Sequence, residues 1–322
     1  MLPVRGVSYL CDGVPGDALH RDLSAIRHDL RCTAVMLIGA DGDALVGAAR
    51  AALDVGLDVH LRPHVPDRRR RELLAHLAGT AQAAEQLRTR FPGRVTLLVG
   101  SEFSHTAPGI VPGPRSFIRL QVVLRWRRVL RRRVTRRLDA LLVEAVATAR
   151  RHFTGPLTYA AAGWEQVDWS RFDVVGVSLY RGGTDPAAYR DRLRALVRGH
   201  RKPVVITEFG CGAFVGADRR GAASFRIVDW FADPPRVRDG PVRDESAQAG
   251  YLGELIDLYA AEGVHGCFAF TFVMRDFPHR PDPAEDLDMA GFGLVKVPPD
   301  DPLAWAPKAA FHTVAERYRA LG

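Results

Sequence analysis

The stretch KPVVITEFG, residues 202–210, decides the fold. Val204, Val205, Ile206 and Thr207 are β-branched, which favours a strand, and a nearly unbroken apolar run suits a strand buried on both faces of a parallel sheet. The run stops at Glu208. A carboxylate at the tip of such a strand is either one more surface acid or part of a site, and the layout of the whole chain decides which.

Seven other runs share that layout: GVSYL (6–10), TAVMLIG (33–39), DVHLRPH (58–64), RVTLLVGSE (94–102), PLTYAAA (156–162), VVGVSLY (174–180) and GCFAFTFV (266–273). Helical patterns are predicted between them at about 17–30, 43–55, 68–90, 115–152, 186–200, 222–231, 245–262 and 307–321, with only a weak turn at 168–172. Eight β runs alternating with helices predict a (β/α)8 TIM barrel, and residues 1–322 read as one such α/β domain. A doubly wound sheet would carry a Gly-rich phosphate turn after its first strand. CDGVPG lacks that glycine order, and no ribose-binding acid follows it.

Composition agrees with a well-cored globular chain: 47% hydrophobic and 25% charged residues in 322. No apolar run approaches the ~18 residues of a membrane span, and MLPVRGVSYL has no secretory pattern, so the cytoplasm is the expected compartment. Cys11, Cys32, Cys211 and Cys267 lack CxxC spacing, and three of them sit in or beside predicted strands, where a small buried thiol is expected rather than a disulfide or metal ligand. The net charge of +8 is uneven. Residues 113–153 hold 12 Arg against Asp139 and Glu144, a local balance of +10, so the rest of the chain carries −2. Leu120, Val123, Leu124, Leu130, Val134, Leu138, Leu141 and Leu142 recur at 3 and 4 spacing there, which predicts an amphipathic helix with a solvated Arg face. A nucleic-acid or other polyanion patch is the alternative reading of the same segment.

In a barrel the chemistry gathers at the C-terminal strand ends, where the βα loops build the site. Those tips carry Tyr9 and Asp12; Asp41; His60, Arg62 and His64; Ser101, Glu102 and Ser104; Trp164 and Glu165; Tyr180 and Arg181; Glu208; and Phe272, Arg275 and Asp276. Glu102 and Glu208 stand out, since each ends a strand and precedes Phe. Strands four and seven of a barrel lie across its mouth, so these acids are predicted to face one another over a ligand. Carboxyl groups roughly 5–5.5 Å apart suit a retaining glycosidase, one protonating the leaving oxygen and the other attacking the anomeric carbon. Proximity would also raise one pKa and leave the other group ionised. Tyr180 is placed to donate a hydrogen bond to the nucleophile, and Trp164 and Phe272 to wall a sugar ring.

An acid/base Glu after strand four and a nucleophile Glu after strand seven resemble the clan A glycoside hydrolases. TEFG (207–210) is similar to the nucleophile strand of that clan, and VSLY puts Tyr180 where the clan often has its nucleophile-contacting tyrosine. The resemblance implies a glycoside hydrolase-like enzyme of retaining type, acting without a cofactor on a glycoside or sugar-like polar molecule. Two positions depart from the pattern. Ser101 stands where the clan usually has the Asn that binds the sugar 2-hydroxyl, and Phe270 and Phe272 stand where strand eight commonly ends in Trp. These departures leave a non-hydrolytic biosynthetic or tailoring reaction open. PGIVPG, ARRHFTGPLTYA, WSRFDVVGVSLYR and DLDMAGFGLVK also resemble actinobacterial proteins labelled "abortive infection protein", which leaves a non-catalytic defence or interaction role through the Arg-rich helix as a further alternative.

Other candidates carry weaker signals. His60, Arg62 and His64 alternate along strand three and share one face. With no further ligand set they read as a substrate-binding shell rather than a metal site, Arg62 being suited to a carboxylate or phosphate. Cys211 follows TEFG and reads as a packing residue rather than a nucleophile. The loop of about 275–300, with Asp276, Glu285, Asp286 and Asp288, is either a lid over the site or an acidic solvated loop. Oligomeric state has no signature in the sequence.

Overall fold

Each apolar run forms a strand because its β-branched and aliphatic side chains are buried on both faces. The strands are β1 (Val4–Leu10), β2 (Ala34–Gly39), β3 (Asp58–Pro63), β4 (Val95–Ser101), β5 (Leu157–Ala162), β6 (Val175–Ser178), β7 (Val204–Phe209) and β8 (Gly266–Ala269). In the computed structural model, which describes residues 2–322, they hydrogen-bond in the order β1-β8-β7-β6-β5-β4-β3-β2 and close into a parallel (β/α)8 TIM barrel. β2, β5 and β7 are buried along their whole length. That burial explains their lack of the alternating polar pattern of a one-sided sheet.

The helices are α1 (Gly16–His28), α2 (Gly42–Asp54), α3 (Arg70–Arg90), the single-turn α4 (Phe103–Thr106), α5 (Ser116–Arg150), α6 (Pro186–Arg198), the short α7 (Ala217–Arg220), α8 (Glu245–Ala261) and α9 (Ala309–Ala320). Side-chain caps set several starts. Asp41 accepts from the N–H groups of Asp43 and Ala44, Asp185 from that of Ala188, and Asp244 from those of Ser246 and Ala247. No helix among the described residues is long and apolar enough to cross a membrane.

The helix predicted over 222–231 is not formed. A 3-10 run (Gly221–Ile227) leads into a short antiparallel pair, Val228–Asp229 with Arg236–Val237. Pro234 and Pro235 lack the N–H groups a helix needs, and they turn the chain back.

The chain forms two compact units. One comprises the stretch ending at Leu10, Gly16–Val35 and Leu179–Gly322; the other comprises Cys11–Pro15 and Met36–Ser178. Buried polar bonds knit each. In the first, Asp22 is wholly buried and accepts from the Tyr9 hydroxyl (2.8 Å), Arg275 Nη2 (2.6 Å) and Trp305 Nε1 (2.8 Å). This ties the tip of β1 to the segments that follow β8. In the second, both oxygens of Asp12 accept backbone N–H groups, from Ala40 (2.7 Å) and Asp41 (3.1 Å), and so fix the β2–α2 turn.

Candidate functional site

The Glu102 neighbourhood grows out of a bulge in β4. Pairing with β5 shifts register between Leu98 and Ser101, and Gly100 adopts φ 151°. A Cβ on Gly100 would lie 2.2 Å from the Phe103 ring, so glycine is required where that ring folds back over the strand. Glu102 follows in the left-handed region, φ 44° and ψ 45°, a conformation that costs a non-glycine residue about 1–2 kcal/mol. Its backbone is held there by hydrogen bonds from Glu102 N to Ala160 O (2.8 Å) and from the His105 and Thr106 N–H groups to Glu102 O (3.0 Å each).

This turn brings His105 onto Glu102. His105 Nε2 donates to Glu102 Oε2 at 2.8 Å. Burial alone would raise the Glu102 pKa, but the hydrogen bond and charge of His105, together with Arg62 and a hydrogen bond from Ser178, outweigh it and hold the carboxyl below its ordinary value. Glu102 is therefore ionised. Ser101 Oγ lies 3.4 Å from His64 Nδ1, and His64 is pushed down to about 4 by burial and by the charges of Arg62 and His105, so it is neutral near pH 7. His60 and Arg62 are buried on β3. Among the described residues no group of three or more His, Cys, Asp and Glu side chains is arranged to hold a metal ion.

A second carboxylate supports the first. Glu165, after β5, accepts from Ser104 N (2.8 Å), Ala162 N (3.0 Å) and the Tyr159 hydroxyl (3.0 Å), and the Tyr159 oxygen in turn accepts from Phe103 N (2.5 Å). Burial pushes Glu165 up to about 7, against the hydrogen bonds from Ser104 that favour its charged form. Trp164 is half-buried, with Nε1 donating to Ser104 Oγ (3.0 Å) and its ring 6.4 Å from that of His105. The loop after α4 is held from behind by Arg119, a wholly buried arginine of α5. Its guanidinium donates to the carbonyls of His105 (2.7 Å), Thr106 (3.0 Å) and Gly113 (3.0 Å) and pairs with Asp67. Arg133 and Arg137 donate to the carbonyls of Ile110 and Gly109. The Arg-rich helix thus has a structural face as well as a solvated one.

The Glu208 neighbourhood is simpler. Glu208 is the penultimate residue of β7 and is buried, and Tyr180 donates to its Oε2 at 2.8 Å, the contact anticipated from VSLY. Gly210 follows where a Cβ would meet Phe270 O at 2.6 Å, so the chain can leave the strand only with glycine there. Phe292 packs 6.1 Å from the Tyr180 ring, and Phe225 stands edge-on to Phe292 at 4.5 Å. Arg181 pairs with Glu254 (2.7 Å) and stacks over Tyr251. Cys211 is fully buried, which pushes its thiol far above the ordinary range.

Three expectations change. Phe272 has no exposed surface; it packs among Tyr9, Trp305 and Phe311 and so offers no face to a ring. Asp12 is exposed, and both its oxygens are committed to the β2–α2 turn. The loop after β8 is not simply acidic and solvated. Asp286 and Asp288 are buried, bound by Arg243 (2.8 and 2.9 Å), and Asp288 also binds the wholly buried Lys308 (3.1 Å). His105 and Arg119 were not singled out in the sequence. The only trace of His105 was its Glu-x-x-His spacing just past a strand tip.

No family model matches the chain, and no curated protein matches it. Solved structures do. The chain is similar to a GH113 beta-1,4-mannanase (TM-score 0.65, 16% identity, covering 99% of this chain and 100% of that one). It is also similar to Thermotoga maritima Cel5A in complex with mannotriose (0.58, 12%, 97% of both chains) and to Bacteroides uniformis beta-glucuronidase 2 (0.60, 15%, 98% of this chain and 35% of that one). These likenesses establish the barrel, whose structural neighbours are glycoside hydrolases. The "abortive infection protein" label is not shown by these comparisons.

Proposed function

We propose that the chain is a glycoside hydrolase-like enzyme in which Glu208 is the nucleophile and Glu102 the general acid/base, acting on a glycoside or sugar-like polar molecule with retention. The observation that carries this reading is Glu208: a buried carboxylate at the C-terminal end of β7, one residue before its last, oriented by the Tyr180 hydroxyl at 2.8 Å. The glycoside hydrolase neighbours of the barrel support it by analogy of fold. Trp164, Arg62, His60 and Ser101 line the acid/base side of this reading.

Glu102 alone, ionised and hydrogen-bonded to His105, is in the state of a base. To act as the acid it must gain a proton, while His105, hydrogen-bonded to it at 2.8 Å, holds the carboxyl in place. In this reading the protonated Glu102 gives its proton to the leaving oxygen and takes one back from the attacking water.

The test is turnover of 4-nitrophenyl glycosides, with mannoside, glucoside and glucuronide in the panel, and proton NMR of the first-formed anomer. Glu208→Gln removes turnover by several orders of magnitude, whereas Glu102→Gln spares substrates whose leaving group needs no proton. Full turnover by Glu208→Gln on a true substrate refutes the assignment. A non-hydrolytic reaction on the same acids is the second reading, favoured by Ser101 in place of Asn and by the ionised Glu102. Its mark is a product without oxygen from solvent water.

A further inference from the structure

The middle of α5 is exposed around its circumference. Residues 124–129, LRWRRV, span a turn and a half, and each of them is exposed among the described residues. The helix bends here, at Trp126, whose φ of −119° and ψ of 15° leave the helical region. Between Arg115 and Arg136 seven arginines are exposed, and none of them pairs with a carboxylate among the described residues. No Asp or Glu occurs from Gly113 to Leu138.

Charge alone would make this a solvated face, but apolar side chains are interleaved with it. Phe117 is 60% exposed, Leu124 37%, Trp126 54% and Val129 76%. The Arg125 guanidinium lies 5.9 Å from the Trp126 ring. A nucleic acid would use the arginines on phosphates and Trp126 on a base, and would leave Leu124 and Val129 in water. The boundary between headgroups and acyl chains accommodates all of them: aliphatic and aromatic side chains enter it, Trp settles at its edge, and Arg side chains reach back to anionic headgroups.

We infer that the exposed, bent turn of α5 is a docking surface for an anionic lipid bilayer, which it binds peripherally through Leu124, Trp126 and Val129 with the surrounding arginines. The inference is independent of the roles proposed for Glu102 and Glu208.

Flotation of the full chain with vesicles tests it, comparing pure phosphatidylcholine with phosphatidylcholine carrying about one third phosphatidylserine. Binding is expected to the anionic vesicles only, with a blue shift of tryptophan emission. Trp126→Phe keeps flotation but loses the shift, because the other four tryptophans lie elsewhere. Arg128→Gln with Arg131→Gln weakens binding about fivefold per residue. Leu124→Ser with Val129→Ser weakens it by about tenfold or more while leaving the charge unchanged. Since all five positions are exposed, the variants retain the fold, which a melting curve verifies. Absence of flotation on anionic vesicles overturns the inference. So does flotation that ignores Leu124→Ser and Val129→Ser and is displaced by duplex DNA, which would make the surface a binder of soluble polyanions.

Discussion

Replacing Arg119 with Met is the most direct measure of how the Glu102 turn is held. Arg119 is wholly buried and donates to three carbonyls, those of His105, Thr106 and Gly113, besides pairing with Asp67. Met fills much of the same volume but satisfies none of these acceptors. Breaking a buried charged contact by removing one partner costs about 3–5 kcal/mol, and we take the lower half of that range because Asp67 is 39% exposed and water can reach it. With a urea m-value of about 3 kcal/mol/M, a loss of about 3–4 kcal/mol lowers the unfolding midpoint by roughly 1 M. Arg128→Met, on the bare turn of the same helix, should stay within about 0.5 kcal/mol of the parent. Hydrogen exchange localises the effect: the amides of His105, Thr106 and Ala107 lose protection first, since the carbonyls around them lose their clamp. A midpoint shift below about 0.3 M, or equal effects of the two substitutions, would refute this account of α5.

The remaining expectations concern titration and the nucleophile contact. Glu165 is raised to about 7 in the folded chain, so the fold holds a proton there that the unfolded chain releases near its ordinary value; stability falls as pH rises from about 4.5 to about 7. Glu165→Gln removes this slope, and urea midpoints at pH 5 and pH 8 show whether the two proteins diverge as expected. Glu245 behaves oppositely. Burial opposes its charge, but Arg243, the Ala309 N–H and Lys296 overcome that and lower it to about 2. Its contribution is present above about 4.5 and lost as pH falls toward about 2, so melting temperatures of Glu245→Gln should converge on those of the parent in that window. Tyr180→Phe deletes the hydrogen bond to Glu208 with little change of shape, and kcat on an aryl glycoside should fall about 10- to 100-fold.

The barrel was legible because its signal is repetitive: eight apolar runs, each bounded by turn residues and followed by a helical period. Glu208 and Tyr180 were legible for the same reason, since strand alternation and strand ends fix where they fall. His105 was not. Its contact with Glu102 depends on a left-handed residue after a bulge, and neither the bulge at Gly100 nor the positive φ of Glu102 follows from propensity. Arg119 was hidden by its neighbours, because a run of arginines reads as average charge until packing shows which one is enclosed. Phe272 failed through depth: a strand-tip position was identified, but the aromatic segment around Trp305 and Phe311 that buries it lies some 30 residues downstream.

The ion cluster under the loop after β8 constrains how this chain can diversify. Asp286 and Asp288 are bonded to Arg243, beside α8, and Asp288 also to Lys308, beside α9. Three segments far apart in sequence therefore share one electrostatic rivet. Insertions or deletions that move either aspartate would cost the buried Lys308 or the half-buried Arg243 a partner, whereas the exposed residues 281–283 lie outside the cluster and tolerate substitution. Laboratory or natural evolution of new specificity on this scaffold should accordingly leave the rivet intact and accumulate changes at that short crest.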